Sequence, residues 1–253
     1  MKLTVLGCSG SLPGPSSPAS SYLVEADGAR LVVDLGNGAL GELQRHVGYR
    51  GLASIDAVLL SHLHPDHFID LCGYYVALRY GPHRPARRVP VWGPENTAER
   101  LAAAYGEHPE PGMGQEFDIR AYPGAEFEIG PFRVTTARMA HPVPAYAIRL
   151  EHAGSVLVYS GDTGPTPALA DLARGADLLL CEAAFDDDAE NPADLHLTGR
   201  EAGEHAAAAG VSRLVVTHVP PWGDPERAVE AAREAYDGPV DAAGVGRTWN
   251  VGS

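Results

Sequence analysis

Within six residues, His62-Leu63-His64-Pro65-Asp66-His67, the chain crowds four side chains able to bind a metal ion. The stretch follows an apolar run at 57–60 that predicts a buried strand, and a helix is predicted from His67 onward. Histidine nitrogen and carboxylate oxygen suit zinc and related borderline cations better than magnesium or calcium. A loop this short cannot enclose two ions, so further donors must come from distant parts of the chain. Three candidates share one context, each standing just past an apolar run: His141 after 132–136, Asp162 after 156–159 and His218 after 214–216. Strand ends along one edge of an α/β sheet are where ligand sites form. Alone, Asp162 would read as a turn residue in Ser160-Gly161-Asp162-Thr163-Gly164. The shared context makes it a ligand candidate.

Other apolar, β-branched runs at 3–6, 31–33, 89–92, 145–150 and 178–180 also predict strands. Helices are predicted at 39–47, 67–79, 95–105, 166–173, 198–209 and 225–236. The helix at 198 is the best marked, with Thr198 and Glu201 forming a T-x-x-E capping box and Gly210 as its stop. Early strands follow one another closely, as in hairpins, and later ones alternate with helices. This order predicts an α/β fold with helices covering buried sheets. Without a linker or repeat, 1–253 reads as a single domain.

The net charge of −14 repels phosphate backbones, so extended nucleic acid is not an expected partner. A small anion at a metal is still allowed, because the ion sets the local field. Three cysteines, Cys8, Cys72 and Cys181, form no C-x-x-C pair, as expected in a reducing cytoplasm. No signal-peptide core follows Met1, and no run approaches the ~18 apolar residues of a membrane span. A cytoplasmic location is the expectation.

The motifs His62-x-His64-x-Asp66-His67, His141 in HPVPAY, Asp162 in SGDT and His218 in THVPP resemble the metallo-β-lactamase superfamily. Within it, they are similar to the ribonuclease Z-like branch and to short bacterial cyclic-nucleotide phosphodiesterases. LGCSGS, LVVDLGNG, CEAAF and HLTGREAG occur in family order, so the resemblance spans nearly the whole chain. It implies a four-layer αβ/βα sandwich carrying two divalent ions, zinc first, with manganese or iron as alternatives. By motif, His62, His64 and His141 would hold one ion, and Asp66, His67 and His218 the other, with Asp162 bridging. A homodimer is a further expectation from the family. Flavodiiron relatives carry Glu where His64 stands. Thioesterase and β-lactamase relatives place the third histidine in a different short segment, which favours the phosphodiesterase branch.

His196 precedes the cap of the helix at 198, where the electropositive terminus suits an anion. It resembles the family's leaving-group histidine, in HLT rather than HST, and Glu182 in CEAAF is expected to support it. Asp34 in LVVDLG is expected in a structural or supporting role. Arg79, Arg84, Arg87 and Arg88 read as a solvated loop, and Phe68, Tyr74 and Tyr75 as helix packing. His46, His83, His108, His152 and His205 fit no ligand pattern.

Two metals sharing an activated water would hydrolyse a phosphodiester, with Asp66 orienting the water and His196 protonating the departing oxygen. Ribonuclease Z proper resembles this chain with a long RNA-gripping arm added between the third histidine and the bridging aspartate. Here His141 and Asp162 are separated by only 162 − 141 = 21 positions. A small diester, 3′,5′-cyclic nucleotide, is therefore expected. Ribonuclease Z-type tRNA processing is the alternative, and a non-catalytic metal-binding regulator is the reading from another class.

Overall fold

The computed structural model describes residues 1–83 and 85–252. Its first half is β1 (Lys2–Gly7), β2 (Ser21–Ala26), β3 (Ala29–Val33), α1 (Ala39–Gly51), β4 (Ala57–Leu59), α2 (Pro65–Phe68), α3 (Leu71–Tyr80), β5 (Val89–Gly93), α4 (Thr97–Tyr105) and β6 (Phe117–Ala121). The second half begins with β7 (Phe127–Ile129), β8 (Phe132–Arg138), β9 (Tyr146–His152) and β10 (Ser155–Tyr159). It continues with α5 (Pro167–Leu172), β11 (Leu178–Glu182), α6 (Gly199–Ala209), β12 (Leu214–Thr217), α7 (Pro225–Ala235) and β13 (Val240–Ala242). A last strand, β14 (Thr248–Asn250), returns to pair with β1.

Each half makes one seven-stranded sheet, in the orders β14-β1-β2-β3-β4-β5-β6 and β13-β12-β11-β10-β9-β8-β7. Both change from antiparallel hairpins to parallel strands with helical crossovers. The change comes at β3 to β4 in the first sheet and at β10 to β11 in the second. The strands read as continuous apolar runs because both faces are buried. Leu31 and Val33 of β3 point into the cluster between the sheets, where Phe132, Ile148, Leu157 and Leu180 meet them. Val32, one residue out of phase, packs instead with Leu43, Tyr74 and Leu101 of the first helical layer. Val158 and Val216 do the same toward α5, α6 and α7. The result is the expected four layers: helices, sheet, sheet, helices.

The capping box at α6 is complete: the Thr198 hydroxyl accepts from Glu201 N, and the Glu201 carboxylate accepts from Thr198 N. Such a cap is worth about 1 kcal/mol. One predicted element is corrected. The helix expected over 67–79 is two helices, because the chain turns at Ile69 and Asp70. There Asp70 N donates to Leu35 O, and the Asp70 carboxylate accepts from Leu40 N. Strands β2, β6, β7, β13 and β14 were not expected. Three of them are only three residues long, and β6 mixes Phe117 and Ile119 with Asp118 and Arg120, too weak a pattern to read locally.

Phe68, Tyr74 and Tyr75 are buried as packing residues. Among the expected basic loop residues, Arg79 pairs with Glu116, Arg87 with Asp56 and Arg88 with Asp118, while Arg84 lies outside the described residues. Cys8, Cys72 and Cys181 are free thiols. Among the described residues, no helix is long and apolar enough to cross a membrane.

Candidate metal centre

The strand ends of both sheets converge on one edge, and there the distant candidates meet. His62, His64, His141 and Asp162 form one group and Asp66, His67, Asp162 and His218 another, each with donor atoms within 4.8 Å of one another. Asp162 belongs to both. On the first side, His64 Nδ1 lies 3.1 Å from His62 Nε2 and 3.2 Å from His141 Nε2, and His62 Nε2 is 3.6 Å from Asp162 Oδ2. On the second, His67 Nε2 is 3.3 Å from both Asp66 Oδ2 and Asp162 Oδ1, and His218 Nε2 is 3.3 Å from Asp162 Oδ2. Donors arranged tetrahedrally at zinc–nitrogen distances stand about 3.3 Å apart. The cluster therefore has the spacing of two small cation cages sharing a carboxylate.

The outer partners of the imidazoles agree. His67 Nδ1 donates to Asp34 Oδ2 at 2.8 Å, His141 Nδ1 to Leu195 O at 2.9 Å, and His218 Nδ1 contacts Ser20 Oγ at 2.8 Å. His62 Nδ1 is 3.1 Å from Ser61 Oγ, which itself donates to Asp34 Oδ2 at 2.7 Å. With Nδ1 donating in each, Nε2 is the nitrogen that faces inward, where a metal ligand presents its lone pair once Nε2 is free of its proton. Inside the cluster, His67 Nε2, His218 Nε2 and Asp162 Oδ1 are buried with no hydrogen-bond partner. Orphaned acceptors at this depth are rare unless something else satisfies them. Two divalent ions fit this donor set.

Electrostatics point the same way. Burial raises the Asp162 carboxyl, but His218, His67 and His62 outweigh it and hold its pKa well below the usual range. Asp66 is lowered likewise: burial opposes the shift, and His67 and His218 prevail. Burial is the largest influence lowering His62, His64 and His141, so these imidazoles are neutral. Burial also disfavours charge on His67, yet Asp162, Asp34 and Asp66 raise it well above the ordinary value. That negative field is the one a cation would meet.

The scaffold presses on these groups from behind. A Cβ on Gly36 would sit 1.9 Å from Asp66 O, and one on Gly10 would sit 2.2 Å from His218 O, so only glycine fits. Asp34 and His218 hold left-handed backbone at φ 54° and 58°, a strained conformation for such residues that gathers at functional sites. The fully buried Asp34 is a hub, accepting from Ser61 N, Ser61 Oγ, His67 Nδ1 and Tyr159 OH. Ser20, Ser61, Tyr159 and Leu195 were not singled out from sequence, and no local pattern marks them.

Beside the cages stands His196, its Nδ1 3.0 Å from Glu182 Oε1 and 3.8 Å from Asp162 Oδ2. Glu182 is fully buried and also accepts from Thr163 N and Ala184 N. Burial lowers the His196 pKa, but the Glu182 carboxylate more than compensates and raises it to about 9. Phe185 packs edge-on against the ring, 5.1 Å between centroids. His46, His83, His108, His152 and His205 join none of the donor groups.

Residues 29–219 match the family model described as the β-lactamase superfamily domain. The chain belongs to the metallo-β-lactamase superfamily. Over 257 residues it is 44% identical to the uncharacterised protein Rv1339 of Mycobacterium tuberculosis, covering 99% of this chain and 92% of that one. It is 30% identical to YhfI, a "probable metallo-hydrolase" of Bacillus subtilis, over 98% and 99% of the two chains. The YhfI crystal structure superposes with a TM-score of 0.88, over 98% of each chain at 29% identity. Ribonuclease Z of Methanopyrus kandleri is 31% identical over 91% of each chain. The ribonuclease Z-like resemblance and the metallo-β-lactamase fold expected from sequence both hold. With its buried His/Asp clusters, this superfamily member is a metal-dependent hydrolase.

Proposed function

We propose that this superfamily member is a dinuclear phosphodiesterase for small diesters, 3′,5′-cyclic nucleotides in particular. The observation that carries the reading is His196, a half-buried imidazole bound to the Glu182 carboxylate and facing the shared Asp162 without belonging to either four-donor group. His62, His64 and His141 would hold one ion, Asp66, His67 and His218 the other, and Asp162 both. Bound there, two divalent ions supply Lewis-acid polarisation of a phosphoryl group and acidify a water. Asp66 would orient the attacking water, which gives up a proton to solvent as its oxygen bonds to phosphorus and the ester P–O bond breaks. His196, kept protonated by Glu182, gives its proton to the departing oxygen.

The size of the substrate is argued from the interval between His141 and Asp162. It contains only the short loop after β8 and the β9–β10 hairpin, leaving no inserted arm to grip a large RNA. The net charge of −14 favours a small ligand as well. Ribonuclease Z activity is the rival reading, supported by the 31% identity to the Methanopyrus enzyme. A side-by-side assay of cAMP, cGMP, a bis-aryl phosphate and a pre-tRNA on metal-replete protein tests the two. The expected result is a higher kcat/KM on cyclic nucleotide with weak salt dependence. Efficient tRNA 3′ cleavage with a steep salt slope would establish the rival, and no turnover of any substrate would leave a metal-binding regulator.

A further inference from the structure

Arg138 and Tyr146 form the last rung of the β8–β9 ladder, and the loop carrying His141 grows out of that rung. Even-numbered residues of both strands face the other sheet: Phe132, Val134, Ile148 and Leu150 all join the cluster between the sheets. Arg138 and Tyr146 continue that face to the edge where the donors converge. Tyr146 is locked there, since its N–H donates to Ser61 O at 2.9 Å, one residue before His62. Its ring lies 5.2 Å from that of Tyr122, whose hydroxyl donates to Leu60 O.

The guanidinium of Arg138 rests over the Tyr146 ring, 5.8 Å from its centroid. Among the described arginines, only the side chains of Arg138 and Arg100 make neither a hydrogen bond nor an ion pair; Arg100 is exposed on α4, in the outer helical layer. In a chain of net charge −14, an exposed cation left without a carboxylate at the strand end that leads to His141 is an exception. A cation–π contact of this kind uses none of the guanidinium N–H donors, which stay available to a ligand. Arg138 stands three positions before His141, so their backbones are at most about 10 Å apart.

We infer that the Arg138–Tyr146 rung is the nucleobase subsite of this centre, with the Arg138 N–H edge donating to acceptor atoms of the base. The inference rests on the nucleotide reading above, and its test separates the two. Metal-loaded protein is titrated calorimetrically with 5′-AMP and, separately, with inorganic phosphate, in wild type, Arg138→Ala and Arg138→Lys. Loss of charged donors to a base is expected to weaken 5′-AMP about tenfold or more in both variants, while phosphate affinity stays within about twofold. Lysine does not rescue, because it lacks the planar fork. Equal weakening of phosphate, or full rescue by lysine, would reduce Arg138 to a distant point charge and overturn the subsite. Unchanged 5′-AMP affinity would overturn it too. Arg138-dependent 5′-AMP binding in a protein that does not cleave cyclic nucleotides would uphold the subsite and sink only the reaction.

Discussion

The two sides of Asp162 are built differently. Asp66, His67 and His218 are buried, with His67 held by the Asp34 carboxylate and His218 by Ser20. Opposite them, His62 is buried but His64 is only half-buried, and His141 is oriented by a neutral carbonyl, Leu195 O. The deep side has more negative charge and less water around it, so an ion there would bind more tightly and exchange more slowly. The open side is reached by solvent at the half-buried His64. The difference between the two sides comes from what stands behind each imidazole rather than from the imidazoles themselves.

Removing the shared ligand should erase the distinction. Asp162→Ala is expected to lower metal content on both sides and cut activity by more than about 100-fold, the loss that outer partners alone can cause. Elemental analysis with kinetics checks this, and a fully loaded, active variant would break the two-sided description. His196 belongs to neither side, so His196→Ala should keep its metals while kcat on a cyclic nucleotide falls about 10²–10⁴-fold. The loss should be much smaller on an aryl ester, whose phenolate leaves without a proton; equal losses would assign His196 to charge stabilisation instead.

Asp34→Asn sharpens the comparison, because Asp34 bonds directly to His67 on the deep side but reaches His62 on the open side only through Ser61. Metal affinity there should drop about 10–100-fold, with the open side nearly unchanged, as seen by competitive chelator titration with circular dichroism to confirm folding. Equal weakening on both sides would show that Asp34 supports the whole edge. The smallest effect expected is that of Glu182→Gln. A donor His196 is active while protonated, so activity falls as pH rises through its pKa, which Glu182 raises to about 9. Neutralising Glu182 removes that support and moves the alkaline limb of kcat to lower pH. A limb that stays put belongs to another group.

Much of the centre was legible because donors in one short loop need no fold to bring them near one another. His62, His64, Asp66 and His67 announce themselves, and the Thr198–Glu201 cap is equally local. His141, Asp162 and His218 were found less directly, through their shared position after apolar runs. The helix expected across 67–79 failed because its break is made by Leu35 and Leu40, some thirty positions away along the chain. Asp34 was noticed, but nothing around it in sequence tells that Ser61, His67 and Tyr159 will all donate to it.

The sequence by itself determined the alternation of apolar runs and turns and which His and Asp residues are donor candidates. These follow from side-chain chemistry and short-range spacing. Only the tertiary structure decided which nitrogen of each histidine faces inward, which side of Asp162 is deep, and that Arg138 lies over Tyr146 with no carboxylate paired to it. Each of those depends on atoms from the two sheets meeting at one edge. The burial that makes an unpaired acceptor costly exists only once they have met.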